Sequence, residues 1–217
     1  MAILYRAELH PTKLELLAVW LPTRSWYGGP AAPDLRRVVS YRFDDPAGEV
    51  GIETLLVRAG DGPLLQAPLT YRHAPLTGRD QWLVGTADHS VLGRRWVYDA
   101  CGDHVYANVL ANTIFTGRGQ AEEFVEVDGR LKRREPTISV TGSGAQGVDV
   151  PSINALVRVD DNDPTLILTD SVELAVARIL DDMGSRGRKA ETSAQPILTG
   201  TWSGQSTPLL LAHARAV

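Results

Sequence analysis

The chain has 217 residues, a formal charge of −4, 22 % charged residues and a single cysteine. That length supports one large domain or two small ones, with a hydrophobic core that needs neither disulfides nor metal. Cys101 alone excludes an internal disulfide and fits a reducing compartment, and basic residues scattered apart from short groups such as Arg36-Arg37, Arg94-Arg95 and Lys132-Arg133-Arg134 argue against nucleic acid as the main partner.

Residues 1–8 carry no signal-peptide pattern, and no stretch reaches the roughly 20 apolar residues that span a bilayer, so a cytoplasmic protein without membrane contact is expected. Thr12 and Glu15 have the spacing of a capping box. Leu14, Leu17, Ala18 and Leu21 follow at helical intervals, which predicts an amphipathic helix stopped by Pro22. From Glu49 to Val57 the residues Val50, Ile52, Thr54 and Leu56 alternate with Glu49, Gly51 and Glu53, as in a strand with one buried face. Gly60-Asp61-Gly62-Pro63 turns the chain, and Leu65, Ala67, Leu69 and Tyr71 alternate on the return. Another strand is predicted over residues 92–98. Asp103 then caps a helix with Tyr106, Val109, Leu110 and Ile114 on one side and Gly117 at its end.

Beyond Gly117 the pattern is strands and turns. Asp128-Gly129 marks a hairpin, and strands are predicted at 153–159, 165–169, 172–180, 197–202 and 208–212. The polar stretch between Asp181 and Pro196, with Gly184 to Lys189 at its centre, has no periodicity and reads as mobile. The fold class is α+β, with an α+β region over 1–117 and a β-rich region over 118–217 that can pack with the first as one unit. Short connections favour antiparallel sheets throughout.

Several motifs invite a function and fail on their chemistry. Gly142-Ser143-Gly144-Ala145-Gln146-Gly147 has the letters of a dinucleotide fingerprint, which requires a helix N-terminus aimed at the pyrophosphate. Val148-Asp149-Val150-Pro151 cannot open that helix, so a flexible glycine-rich turn is expected. Asp103 and Asn108 keep the spacing of a phosphotransferase catalytic loop, yet no lysine lies between Lys13 and Lys132 to neutralise nucleotide phosphates, and the segment reads as a helix start. Asp160-Asp161-Asn162-Asp163-Pro164 lacks the glycine and distal glutamate of a calcium loop and reads as a turn. The adjacent Asp88, His89 and Ser90 make no triad, and the histidines show no metal-ligand spacing. No catalytic residue, cofactor or metal is expected. Among the aromatic residues Trp26 and Tyr27 are the candidate ligand-binding pair, since their rings could stack on a sugar and Gly28-Gly29 leaves their surroundings open.

The run Leu17-Ala18-Val19-Trp20-Leu21-Pro22-Thr23-Arg24-Ser25-Trp26-Tyr27-Gly28-Gly29 resembles the opening of bacterial maltokinases. Pro68-Leu69-Thr70-Tyr71-Arg72, Trp96-Val97-Tyr98-Asp99-Ala100 and Asp45-Pro46-Ala47-Gly48-Glu49-Val50-Gly51 continue the likeness to their N-terminal cap domain and its free-standing relatives. The resemblance implies a curved, cystatin-like antiparallel sheet with a packed helix. Pro151 to Val157 and Glu173 to Arg178 look like two central strands of the maltokinase intermediate subdomain, which implies a second half like a kinase N-lobe. The strand at 172–180 has no lysine, a polar segment replaces the expected helix, and no catalytic lobe is expected.

The resemblance and the missing chemistry make a non-catalytic accessory or regulatory protein of glucan, glycogen, trehalose and maltose metabolism the leading expectation, with carbohydrate-metabolism enzymes as partners. The residues support neither kinase nor branching-enzyme activity. The alternative is a carbohydrate or small-molecule binding module, with the sugar at Trp26 and Tyr27 or on the concave face of the sheet. The oligomeric state stays open, a homodimer included.

Overall fold

The computed structural model describes residues 2–4, 8–127, 130–180 and 195–217. The Asp128-Gly129 turn and the polar stretch Gly184 to Lys189 lie outside the described residues. In chain order the first half comprises β1 (Ala2–Leu4), β2 (Leu9–His10), α1 (Lys13–Trp20), β3 (Leu35–Phe43), β4 (Gly51–Ala59), β5 (Leu65–Arg72), β6 (Leu83–His89), β7 (Gly93–Asp99) and α2 (His104–Thr116). The second half adds β8 (Glu123–Val127), β9 (Arg130–Arg134), β10 (Ile138–Gly142), β11 (Leu156–Asp160), β12 (Thr165–Thr169), β13 (Val172–Val176), β14 (Ile197–Trp202) and β15 (Gln205–Ala216). The architecture is α+β and mostly β, with a strongly curled antiparallel sheet, two short helices and a further β-rich region.

The first sheet runs β2-β6-β7-β5-β4-β3. From β6 to β3 it is about 19 Å wide at ordinary strand spacing. An α-helix is only about 10–12 Å across, yet α1 touches both β6 and β3, so the sheet curls around it. The predicted capping box is present: Thr12 Oγ1 accepts from Glu15 N, and Glu15 Oε2 accepts from Thr12 N. Of the predicted stripe, Leu17 and Leu21 are fully buried and Leu14 and Ala18 pack half-buried against the same core, which also takes Leu16 and Trp20, while Val19 is 76 % exposed. α1 ends at Trp20, ahead of Pro22 as expected, and the chain continues in a 3-10 turn over Leu21–Thr23. Leu16, Leu17, Trp20 and Leu21 fill the concave face against Leu55, Val57, Leu65, Ala67 and Leu69.

The register corrects the one-sided reading of the central hairpin. Leu55 pairs with Ala67 and Val57 with Leu65, so the predicted buried residues of β4 and those of β5 point to opposite faces. Both faces are covered: Ile52 and Leu56 pack away from α1, in a core shared with Tyr106, Leu110 and Ile114 of α2 and with Leu174, Leu198 and Leu211 of the second sheet. β3 escaped the period-two pattern because a bulge between Arg37 and Val39 breaks the alternation.

A strand buried on both faces leaves Glu53 only 4 % exposed. Its Oε2 accepts from Lys13 Nζ at 2.5 Å and from the Tyr71 hydroxyl at 3.3 Å, with Arg42 Nη2 at 4.0 Å. Burial acts to raise its pKa, but the attraction of Lys13, Arg42 and Arg37 outweighs burial and holds the carboxyl below its ordinary range. A depressed folded value contributes stability that is present above the unfolded value and lost as pH falls through the folded one. Glu53→Gln is therefore expected to flatten the loss of stability below pH 4.5, the ordinary glutamate value. Urea denaturation at pH 5 and pH 3 measures this, and equal losses in both proteins would contradict it.

The second sheet runs β10-β14-β15-β13-β12-β11, antiparallel throughout. β13 is interior, but β11 lies at the margin and starts at Leu156, so the two stretches likened to central strands are not both central. α2 lies against this sheet, capped by Asp103 and ended by Gly117 in the left-handed region, and it buries the predicted face. The sheets meet at β5. Gln66 Nε2 donates to the carbonyls of Ala177 and Leu211, its backbone N–H donates to Arg178 O, and Leu65 bridges Ile179. A small third sheet runs β1-β8-β9, in which β1 pairs with β8 in parallel, against the expectation of antiparallel pairing alone. No helix among the described residues is long and apolar enough to cross a membrane.

Candidate functional site

The segment Arg24 to Tyr27 leaves the 3-10 turn after α1 and crosses to the Asp160–Pro164 turn between β11 and β12. Trp26 Nε1 donates to Asp161 Oδ1 at 2.7 Å, Arg24 Nη1 to Asp161 Oδ2 at 3.1 Å, and Ser25 Oγ to the Asp161 carbonyl at 3.1 Å. The Arg178 guanidinium lies 5.1 Å from the centroid of the Trp26 ring, and Trp20 meets the same ring in a T-shaped contact at 6.2 Å. Trp26 is 8 % exposed. Its polar edge and one ring face are thus committed within the protein, and a sugar stacking on that face would displace a buried cation.

Tyr27 is half-buried and folds over Gly29, where a Cβ would lie 2.4 Å from the phenolic oxygen. The surroundings are therefore closed on the Gly29 side and open only at Gly28. The hydroxyl is buried without a hydrogen-bond partner among the described residues, and burial raises its pKa.

Arg178 is the centre of this junction and is 0 % exposed. Its Nη2 donates to Asp99 Oδ2 at 2.5 Å and lies 4.0 Å from Asp161 Oδ1, while Nε donates to Thr165 Oγ1 at 2.7 Å. Burial acts to lower its pKa, but Asp99 and the neighbouring acidic groups outweigh burial, so the guanidinium stays charged. Asp163 Oδ1 accepts from the backbone N–H groups of Arg178 and Ile179. The acidic turn is thus a set of internal acceptors. Cys101 sits beside this cluster, fully buried, and burial pushes its thiol well above the ordinary range, which suits an unreactive side chain. Sequence reasoning missed Asp99 and Arg178. The available signal was an isolated arginine in the otherwise apolar run Leu174 to Leu180, because a buried charge demands a partner.

The other motif residues also have structural assignments. Both Asp103 carboxylate oxygens accept from Arg72 at 2.7 Å, and Oδ1 also accepts from Val105 N as the helix cap. Asn108 Nδ2 donates to the carbonyls of His104 and Ile153, fastening α2 to the segment before β11. The glycine-rich stretch is a close-packed turn. A Cβ on Gly142 would lie 2.2 Å from Thr113 O and one on Gly144 1.9 Å from Phe115 O. Gly144 N and Ala145 N donate to the carbonyls of Ile114 and Phe115. The glycines thus meet the C-terminal end of α2, whose partial negative charge is the opposite of what a phosphate needs.

A cleft opens on the outward side of α2. One wall is the helix with His104, Asn108 and Asn112, the second is the loop 44–47, and residues 118–122 close the end, with Phe43, Val105 and Val109 beneath. Asp45 pins the loop by accepting from the N–H groups of Ala47, Glu49 and Val50.

Comparison with known families supports the resemblance read from the sequence: residues 20–103 match the family model of the maltokinase N-terminal cap domain. The match runs from the last residue of α1 through the curled sheet to the cap residue of α2. No curated protein matches the chain.

Proposed function

We propose, on the premise that residues 20–103 form a maltokinase N-terminal cap domain, that this chain is a non-catalytic accessory protein of maltose, trehalose and glycogen metabolism in the cytoplasm. It acts through contacts with sugar-processing enzymes, as a monomer or a homodimer. The cap supports the metabolic association. The observation that carries the non-catalytic reading is Asp103, whose fully buried carboxylate is committed to Arg72 and the first turn of α2. A catalytic aspartate must reach a substrate hydroxyl, and this one faces its own fold.

Two measurements test this reading. Purified protein incubated with ATP, magnesium and a panel of glucosides is expected to yield no phosphorylated sugar, and turnover abolished by Asp103→Ala would overturn the non-catalytic role. Affinity capture from native lysate is expected to recover an enzyme acting on maltose, trehalose or α-glucan, and recovery of no such enzyme removes the accessory role. The second reading, a carbohydrate-binding module, draws support from the cleft beside α2, because Trp26 is engaged with Arg178 and the concave face is filled by α1.

A further inference from the structure

We infer that the cleft beside α2 is a binding site for a small, neutral, cyclic sugar rather than for open-chain polyols. Its three walls are each held by a side chain whose polar ends are committed. Asp45 pins the loop through three backbone N–H groups, and Asp103 with Arg72 fixes the start of α2. Gln120 pins the closing segment, donating to Ile138 O and accepting from Val140 N. Such walls are pre-organised, so a ligand need not order them.

The groups left over define the chemistry. Asn108 is oriented by its two Nδ2 bonds, which leaves its amide oxygen as a fixed acceptor. The Asn112 side chain and the Arg118 guanidinium form no hydrogen bond or ion pair among the described residues, and both line the cleft. Amides that donate and accept, one planar donor and an apolar floor match the alternating hydroxyls and C–H faces of a sugar. A phosphate would need a concentrated basic lining, whereas Asp44, Asp45 and Glu122 line the site beside Arg118 and His104. A nucleobase would need an exposed ring to stack on, and Phe43, the aromatic residue of the floor, is 5 % exposed.

The cleft argument stands on geometry, while the choice of glucosides as probes rests on the proposed metabolic association. Isothermal titration with maltose and trehalose, using sorbitol as an unrelated polyol, tests it on the full chain. Saturable binding of one disaccharide is expected, with Asn112→Leu weakening it about three- to tenfold through loss of the amide. Ala47→Trp, which fills the cleft from an exposed position, is expected to abolish it. Absence of binding by both disaccharides overturns the inference, as does equal binding of sorbitol. Binding unchanged in both variants places the ligand elsewhere and also overturns it. Thermal melting of each variant separates a blocked cleft from a failed fold, and Asn112→Leu alone decides the matter if Ala47→Trp does not fold. Enzyme capture without sugar binding would remove this inference and spare the accessory role, whereas sugar binding without capture would do the reverse.

Discussion

Arg178→Met is expected to destabilise the protein by about 3–5 kcal/mol, because it strands the buried Asp99 carboxylate without its cation. The pair is fully buried on both sides, so water cannot take over the lost interaction. The arginine also donates to Thr165 and covers Trp26, so part of the loss comes from the packing between the two sheets. Pairing the change with Asp99→Leu removes the stranded charge, and the double variant is expected to regain most of the loss, since a buried ion pair is often no better than well-packed apolar residues. Urea denaturation of the four proteins gives the coupling directly. A single-variant loss below about 1 kcal/mol would mean that the ion pair is not what joins the halves.

The second large effect falls on the glycine-rich turn. Gly144→Ala is expected to cost about 2–3 kcal/mol, because backbone rather than a yielding side chain occupies the space of the new methyl group. Moving the turn away would also lengthen the hydrogen bonds that Gly144 N and Ala145 N make to the last carbonyls of α2. Gly147→Ala serves as the control: its surroundings are open, and only its φ of +84° is unfavourable, at about 1 kcal/mol. Faster amide exchange in the last turn of α2 in Gly144→Ala, and not in Gly147→Ala, would locate the damage. Equal costs at the two positions would show that backbone conformation, not contact with the helix, selects glycine there.

Much of the local structure was legible because it depends on neighbouring residues. The capping box at Thr12 and Glu15, the Asp103 cap, the Gly117 stop and the buried face of α2 are all read from short spacings, and each stands as the spacing requires. The likeness to the cap family lay in the same kind of signal, runs of residues such as Trp20-Leu21-Pro22 whose order is itself the information. β3 was less legible, because a single bulged residue shifts the alternation and hides the strand.

The sites divide in the same way. Trp26 and Tyr27 stood out by residue type, but whether an indole faces solvent or a buried guanidinium depends on a residue 152 positions away, Arg178. The likeness of Asp103 and Asn108 to a catalytic loop and of Gly142-Ser143-Gly144 to a phosphate loop lies in spacing alone. Their roles as a helix cap, a fastener and a helix-end contact appear only once Arg72, Ile153 and Phe115 are brought beside them.

By itself, then, the sequence determined the helices, the central hairpin and the likeness of its first half to the cap domain, because capping, turn chemistry and alternation act within a few residues along the chain. Only the tertiary structure decided that the hairpin is buried on both faces, that Arg178 and Asp99 pair at the sheet junction, and that a pinned cleft flanks α2. These features arise from groups distant in sequence, whose desolvation, packing and charge pairing have no value until the chain has closed upon itself.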